Sequence, residues 1–272
     1  MMIAREVEPV HVDLNCDLGE LPEAVFDGTQ DALMASITSA NVACGGHAGD
    51  RRSMEATIRQ ALQHGVCIGA HPGFPDRDNF GRLDLSMAPE QISQTVYEQV
   101  CLLSQVAQAC GATIGHVKPH GALYNLAARD AGVSRAIAEG VARWRRDVVL
   151  VGLAGSAMLT TFREAGFAVA GEAFADRTYE PDGRLRSRSQ PDALIRDPQA
   201  AADQALGIAR EQRVIAAGGL EIAVKAQTIC VHGDTPGCVQ IAAAMASRLR
   251  EARIELKGIS RPSPRPDRTS AA

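Results

Sequence analysis

Along the chain, short apolar, β-branched runs alternate with longer stretches whose apolar residues recur at helical spacing. Residues 11–15 read as a first strand and 37–43 as a second. Asp50 then opens a helix on which Met54, Ile58, Ala61 and Leu62 share a face, with Gly65 as its stop. Residues 66–70 form a third strand. Ser86 and Pro89 open a long helix with Ile92, Val96, Val100, Leu103 and Val106 in register, closed by Gly111. A fourth strand at 114–117 precedes a helix near 134–145, a strand at 148–151, a helix near 156–164 and a strand at 167–170. Residues 197–213 are helical and 228–231 a strand. Thr235 and Pro236 cap a helix to about 249, and 253–256 is a candidate last strand.

Seven or eight strand-then-helix steps predict parallel strands with right-handed crossovers. No Pro/Gly/Ser linker divides them, so 10–258 is expected to be one α/β domain. A closed barrel and an open doubly wound sheet both fit this pattern. The segment 259–272 is Pro-rich and Arg-bearing and is expected to be a disordered tail.

Composition narrows the partners. Hydrophobic residues are 46% and charged residues 22% of 272, enough to fill a core and stay soluble. A net charge of -4 and only 4% aromatics argue against nucleic acid or anionic membrane as a partner. Seven cysteines, an odd count without a C-x-x-C pair, read as reduced cytoplasmic thiols. No apolar signal region occurs in residues 1–10, and the longest nearly apolar stretch, 148–159, is too short to span a bilayer. The expected location is the cytoplasm.

The polar residues cluster just after the predicted strands: Asp13, Asn15, Asp17 and Glu20; Asn41, His47 and Asp50; His71 and Asp76; Lys118, His120 and Asn125; Glu172, Asp176 and Arg177; His232 and Asp234. In parallel α/β folds the carboxyl ends of the strands share one face, and that face carries the site. Six clusters should therefore converge on one cleft. Plainer readings compete: Asp50 and Thr235 as helix caps, His64 as a partner of a helix dipole, and the other histidines as loop braces. His116 and His120 have the H-x-x-x-H spacing of a zinc pair, but Pro119 excludes a helix interior, and on a strand the two would sit about 13 Å apart. Asp13, His47 and His71 could ligate a metal at the mouth, the less favoured reading, and no metal ligands are assigned. No Walker-type phosphate loop, G-x-G-x-x-G or G-x-S-x-G motif is present.

Six strings carry a resemblance: Asp13-Leu-Asn-Cys-Asp-Leu-Gly-Glu20, Ser39-Ala-Asn-Val-Ala-Cys-Gly-Gly-His-Ala-Gly-Asp50, Gly69-Ala-His-Pro-Gly73, Val117-Lys-Pro-His-Gly-Ala-Leu-Tyr-Asn125, Phe174-Ala-Asp-Arg177 and Cys230-Val-His-Gly-Asp234. In order, over about residues 10–250, they resemble the LamB/YcsF family of 5-oxoprolinase A subunits. The resemblance implies an irregular, TIM-like (β/α) barrel of seven or eight strands, related to polysaccharide-deacetylase-like barrels. It also implies hydrolysis of 5-oxoproline to L-glutamate coupled to ATP, with separate B and C subunits; the alternatives are a metal-dependent, deacetylase-like amide hydrolase acting without ATP and a non-catalytic subunit of a larger hydrolase. ATP is then a cofactor of the complex, not necessarily bound by this chain. On that reading Asp13, His47, His71, Lys118 and His120 are catalytic candidates. Asn15, Glu20, Asn41, Asp50, Asn125, Glu172, Asp176, Arg177, His232 and Asp234 are candidates for substrate binding. Asp13 or a histidine would be the base, and Lys118 would hold a carboxylate or phosphate. The chain departs from the family pattern at Leu21-Pro-Glu23, Gly46, Arg51 and Leu83, all near the expected mouth. Missing phosphate loops predict that the chain alone does not turn over 5-oxoproline.

Overall fold

The computed structural model describes residues 11–259. The first strand, β1 (His11–Leu18), shows the rule that builds the molecule. Val12, Leu14, Cys16 and Leu18 are buried apolar residues packed in the main core, while the alternate positions Asp13, Asn15 and Asp17 bond polar partners on neighbouring strands. Period-two alternation thus gives one face to the helices and the other to the barrel interior. The same division recurs in β2 (Ser39–Ala43), where Ser39 and Asn41 join the polar network and Ala40 and Val42 the core.

The remaining elements follow in order. After β1 come two short helices, α1 (Pro22–Phe26) and α2 (Thr29–Met34). After β2 come α3 (Arg51–His64), β3 (Cys67–His71), α4 (Pro89–Ala109) and β4 (His116–Val117). Then follow α5 (Gly121–Arg129), α6 (Ala131–Trp144), β5 (Val149–Leu153), α7 (Ala157–Glu164) and β6 (Ala168–Phe174). The chain finishes with α8 (Pro198–Glu211), β7 (Arg213–Ile215), β8 (Glu221–Ala223), β9 (Thr228–His232), α9 (Cys238–Glu251) and β10 (Glu255–Leu256).

Strands β1, β2, β3, β4, β5, β6 and β9 pair in parallel in that order, and β9 returns to pair with β1. The ring is a closed seven-stranded barrel, which decides between the two architectures the pattern allows. An eighth parallel strand, β10, adds to β1 at His11 and Val12. β7 and β8 form a separate antiparallel hairpin. The helices cover the outward rows, and each fully buried aliphatic or aromatic side chain there contributes about 1.5–3 kcal/mol. Among the described residues no helix is long and apolar enough to cross a membrane, and all seven cysteines are free.

Several sequence expectations change. β1 runs to Leu18 and β6 to Phe174, so Asp13, Asn15, Asp17 and Glu172 lie on strands. Asn41 likewise lies on β2. Helices α1, α2 and α5 and the β7–β8 hairpin are too short to show as apolar patterns. Thr235 does not cap α9, whose N-cap is Gly237; its hydroxyl donates to Asp176 instead. Ile259 is buried against Val149, Val151 and Ala170, and its N–H donates to Ser39 Oγ, so the packed unit extends through 259. The rest of the expected tail, 260–272, lies outside the described residues.

Candidate active site

The carboxyl ends of the strands open into a cavity of about 1140 Å³. Asp17, Glu20, His71, Lys118, His120, Asn125, Arg177, His232 and Asp234 line it, so five of the six predicted clusters converge there directly. The sixth, after β2, contributes His47 from behind: its ring stacks on His120 with centroids 3.6 Å apart. A smaller cavity of about 250 Å³ lies between α6 and α7, remote from the strand ends.

At the inner wall Glu20 Oε1 lies 2.9 Å from His47 Nε2, 3.1 Å from His120 Nδ1 and 3.6 Å from His71 Nε2. His71 Nδ1 is 2.7 Å from the Lys118 carbonyl oxygen and donates to it. His120 Nε2 is 2.9 Å from the Phe80 carbonyl oxygen and donates to it. Phe80 holds a left-handed backbone, φ 56°, an uncommon state for a bulky side chain that aims this carbonyl at the ring. Burial favours protonated Glu20, but the His120 and His47 hydrogen bonds prevail and hold its carboxyl well below the usual range. Burial pushes His47 down to about 4, so its ring is neutral. Burial also opposes a charge on His71, but Asp17 prevails and raises it.

Beneath the histidines, Lys118 Nζ is 2.8 Å from Asp17 Oδ1 and 2.7 Å from Glu172 Oε1. The Glu172 contact is an ion pair rather than an aligned hydrogen bond, and both Glu172 oxygens lack a hydrogen-bond donor. Nζ also reaches Asn15 Oδ1 and Cys230 Sγ, each at 3.2 Å. Burial disfavours the ammonium, yet Asp17, Cys230 and Glu172 carry it well above the usual lysine range. Lys118 does point into the cleft as expected, but it is already paired twice. It is therefore not free to hold a substrate carboxylate or phosphate.

Asn41 donates to Asn15 and Asp17 and accepts from His116 Nε2 at 2.8 Å, so these residues stiffen the barrel interior. His116 is neutral, pushed down to about 3 by burial and then by Lys118. A Cβ at position 69 would overlap the His116 ring, which is why β3 carries Gly69. His116 and His120 bond different partners and do not act as a pair.

On the opposite wall, Asp176 is fully buried and accepts from His232 Nδ1 at 2.9 Å and from the His232 backbone N–H at 3.0 Å. This fixes the tautomer with Nε2 free at the cavity wall. Burial disfavours the Asp176 carboxylate, but His232 outweighs it and lowers its pKa. Arg177 is buried too, and its guanidinium donates only to the Ala193 and Arg186 carbonyl oxygens. No carboxylate lies within ion-pair reach of it among the described residues. Burial, then repulsion from Arg188, pulls it down to about 10. Asp234 pairs with Arg82 and Arg188 at the rim.

Asn15, Asn41, Glu172 and Asp176 do not line the cavity and act from behind it, and Asp13 and Asp50 lie farther from the site. Asp13, near the amino end of β1, accepts from Thr38, Ser39 and Thr228 at the barrel floor and does not line the cavity. Its place on the strand, four residues before Asp17, removes it from the mouth. Asp50 caps α3 through a reciprocal bond pair with Ser53. In the other direction, sequence reasoning gives Asp17 no role beyond membership of a polar cluster. The fold joins it to Lys118, Asn41 and, at 3.3 Å, His71 Nε2. The alternation Asp13, Asn15, Asp17 is the signal that places it.

Comparison with known proteins identifies relatives of this chain and of its fold. The model of the LamB/YcsF family matches residues 12–263. A relative from Chloroflexus aggregans, named as the A subunit of 5-oxoprolinase, is 50% identical over 90% of this chain and 98% of its own length. The crystal structure of a lactam utilization protein from Thermus thermophilus superposes with a TM-score of 0.85 at 40% identity, covering 92% of this chain and all of that one. The catalytic domain of a peptidoglycan N-acetylglucosamine deacetylase from Eubacterium rectale has a TM-score of 0.52 at 9% identity, covering 97% and 94%, a likeness of fold alone.

Proposed function

The chain belongs to the LamB/YcsF family, and from that premise we propose that it is the lactam-opening A subunit of a multi-subunit 5-oxoprolinase. The observation that carries the reading is one cavity joining an Asp-held histidine, His232, to an arginine without a carboxylate partner, Arg177. 5-Oxoproline presents matching chemistry: an exocyclic carboxylate and a five-membered cyclic amide. Its carboxylate docks on Arg177, with Arg188 beside it, where burial strengthens the attraction. His232 Nε2, backed by Asp176, takes the proton from the attacking water.

The amide is unreactive and its nitrogen leaves poorly, which is the reason for ATP. Phosphorylation of the amide oxygen activates the ring carbon. Water then adds, the C–N bond breaks as the nitrogen gains a proton, and an acyl phosphate remains. A second water hydrolyses that acyl phosphate to glutamate and phosphate. The chain has no phosphate loop of the familiar kinds, so B and C subunits complete the ATP-dependent half.

The test is reconstitution of the chain with its B and C partners and measurement of glutamate released from 5-oxoproline. The complex should release glutamate only with ATP, and the isolated chain should release almost none. A complete complex inert toward 5-oxoproline, or rapid ATP-coupled release by the isolated chain, would overturn the reading.

A further inference from the structure

At the inner wall, ligand atoms of three side chains, Glu20, His71 and His120, converge on one point. His71 commits its Nδ1 proton to the Lys118 carbonyl, and His120 its Nε2 proton to the Phe80 carbonyl. The remaining nitrogens, His71 Nε2 and His120 Nδ1, face each other at 3.0 Å. A metal ion between them would be held by both lone pairs and would displace any proton there. Glu20 Oε1 completes the triangle, 3.1 Å from His120 Nδ1 and 3.6 Å from His71 Nε2. Ligand atoms around a tetrahedral ion at about 2.0–2.1 Å stand about 3.4 Å apart, so the three are already close to that spacing.

We propose that Glu20, His71 and His120 bind one divalent transition-metal ion of the zinc type, with its fourth coordination position open to the cavity. Two imidazole nitrogens and one carboxylate favour such an ion over calcium or magnesium, which prefer all-oxygen sites. Three protein ligands and an open position are the pattern of a reactive rather than a structural centre.

His47 supports the site without entering it. Its Nδ1 is buried and has no partner. A proton there would be an orphaned donor, so the proton sits on Nε2 and is donated to Glu20 Oε1. His47 is thus a positioning residue that aims the carboxylate. The charge balance agrees: Lys118 pairs with Asp17 and Glu172, and the partners of Glu20 are imidazoles. A second group, Asp17, Cys230 and His232, also lies within ligand spacing. Lys118 Nζ sits 2.8 Å from Asp17 Oδ1 and 3.2 Å from Cys230 Sγ, so a cation already fills that place.

This site goes beyond the reaction proposed above, and its test needs no substrate. The full-length chain, stripped with a chelator, is titrated with Co²⁺ and then Zn²⁺, following the visible cobalt absorption and the metal bound per chain. One equivalent should bind, with the intense bands of a tetrahedral site, and Zn²⁺ should displace it. His120→Ala and the near-isosteric Glu20→Gln should each weaken binding at least 100-fold, and His47→Ala 10- to 100-fold. His64→Ala, on an exposed helix end, should change nothing. Circular dichroism identifies any variant that fails to fold, and Glu20→Gln keeps the test valid if His120→Ala is lost. Absence of saturable binding would overturn the proposal. So would wild-type affinity in Glu20→Gln, or a sulfur-to-cobalt band lost in Cys230→Ser, which would place the ion in the second group.

Discussion

At the floor of the barrel, Asp13 accepts hydrogen bonds from three neutral hydroxyls, those of Thr38, Ser39 and Thr228. At the mouth, Glu20 faces the rings of His47, His71 and His120. Both are buried carboxylates, and they differ in their company. Burial at the floor dominates and pushes Asp13 up to about 6, whereas the imidazoles hold Glu20 well below the usual range. The floor is closed by Ile259 against Val149, Val151 and Ala170, while the mouth opens to a large cavity. A polar residue inside this barrel is structural or reactive according to its height on the strand. The hydroxyls at the floor satisfy Asp13, and at the mouth His71, His120 and His232 line the cavity.

The contrast breaks most visibly at the mouth. His232→Ala should lower kcat of the reconstituted complex by about 10²–10⁴, the range for loss of a general base, with little change in thermal unfolding. Near-normal turnover would remove His232 from the proposed chemistry.

Between the two ends sits Lys118, and its loss should strike stability. Lys118→Met leaves Asp17 and Glu172 buried without their cation, which should cost about 3–5 kcal/mol in urea unfolding. Adding Glu172→Gln should restore part of that. A Lys118→Met chain as stable as wild type would contradict the buried pairing.

Stability against pH separates the ends by sign. In the fold Asp13 keeps its proton to about pH 6, and in the unfolded chain only to about 4. Between those values the folded state binds the extra proton, so this group's contribution falls as pH rises. Asp17, Glu20 and Asp176 are lowered and act oppositely: their stabilisation is present above about pH 4 and is lost as pH falls through their folded values. Asp13→Asn should therefore gain on wild type by up to about 3 kcal/mol between pH 4 and 6. A constant difference across that window would show that Asp13 does not titrate there.

The smallest effect belongs to Asp50, which lies in neither region. Asp50→Ala should cost about 1 kcal/mol through loss of the α3 cap and leave turnover unchanged. A large loss of turnover would return Asp50 to the site.

How much of this the sequence displays depends on which face of a strand is considered. Outward rows such as Val12, Leu14 and Cys16 give the apolar signal, and α3 with Asp50 and Gly65 as its caps is fully legible. The inward polar row obscures strand ends: Asp17 interrupts the apolar run and makes β1 look finished at Asn15, though it continues to Leu18. That shortening moves Asp13 toward the mouth on paper. Convergence of His47, His71 and His120 can be read from their places after successive strands. What orients them cannot, because the acceptors are the Phe80 and Lys118 backbone carbonyls, which no residue type advertises. Lys118 looks free in the sequence because its partners Asp17 and Glu172 are far away along the chain.

The claim that the mouth is reactive and the floor structural is tested most directly by one paired assay. ATP-dependent glutamate release is measured for reconstituted complexes carrying Glu20→Gln or Asp13→Asn, each shown to be folded. The account predicts that Glu20→Gln lowers turnover at least about 100-fold, the scale of a lost electrostatic contact at a reacting centre, while Asp13→Asn, outside the cavity, stays within about threefold of wild type, a barrier change of well under 1 kcal/mol. Collapse of turnover in Asp13→Asn with Glu20→Gln intact would contradict it.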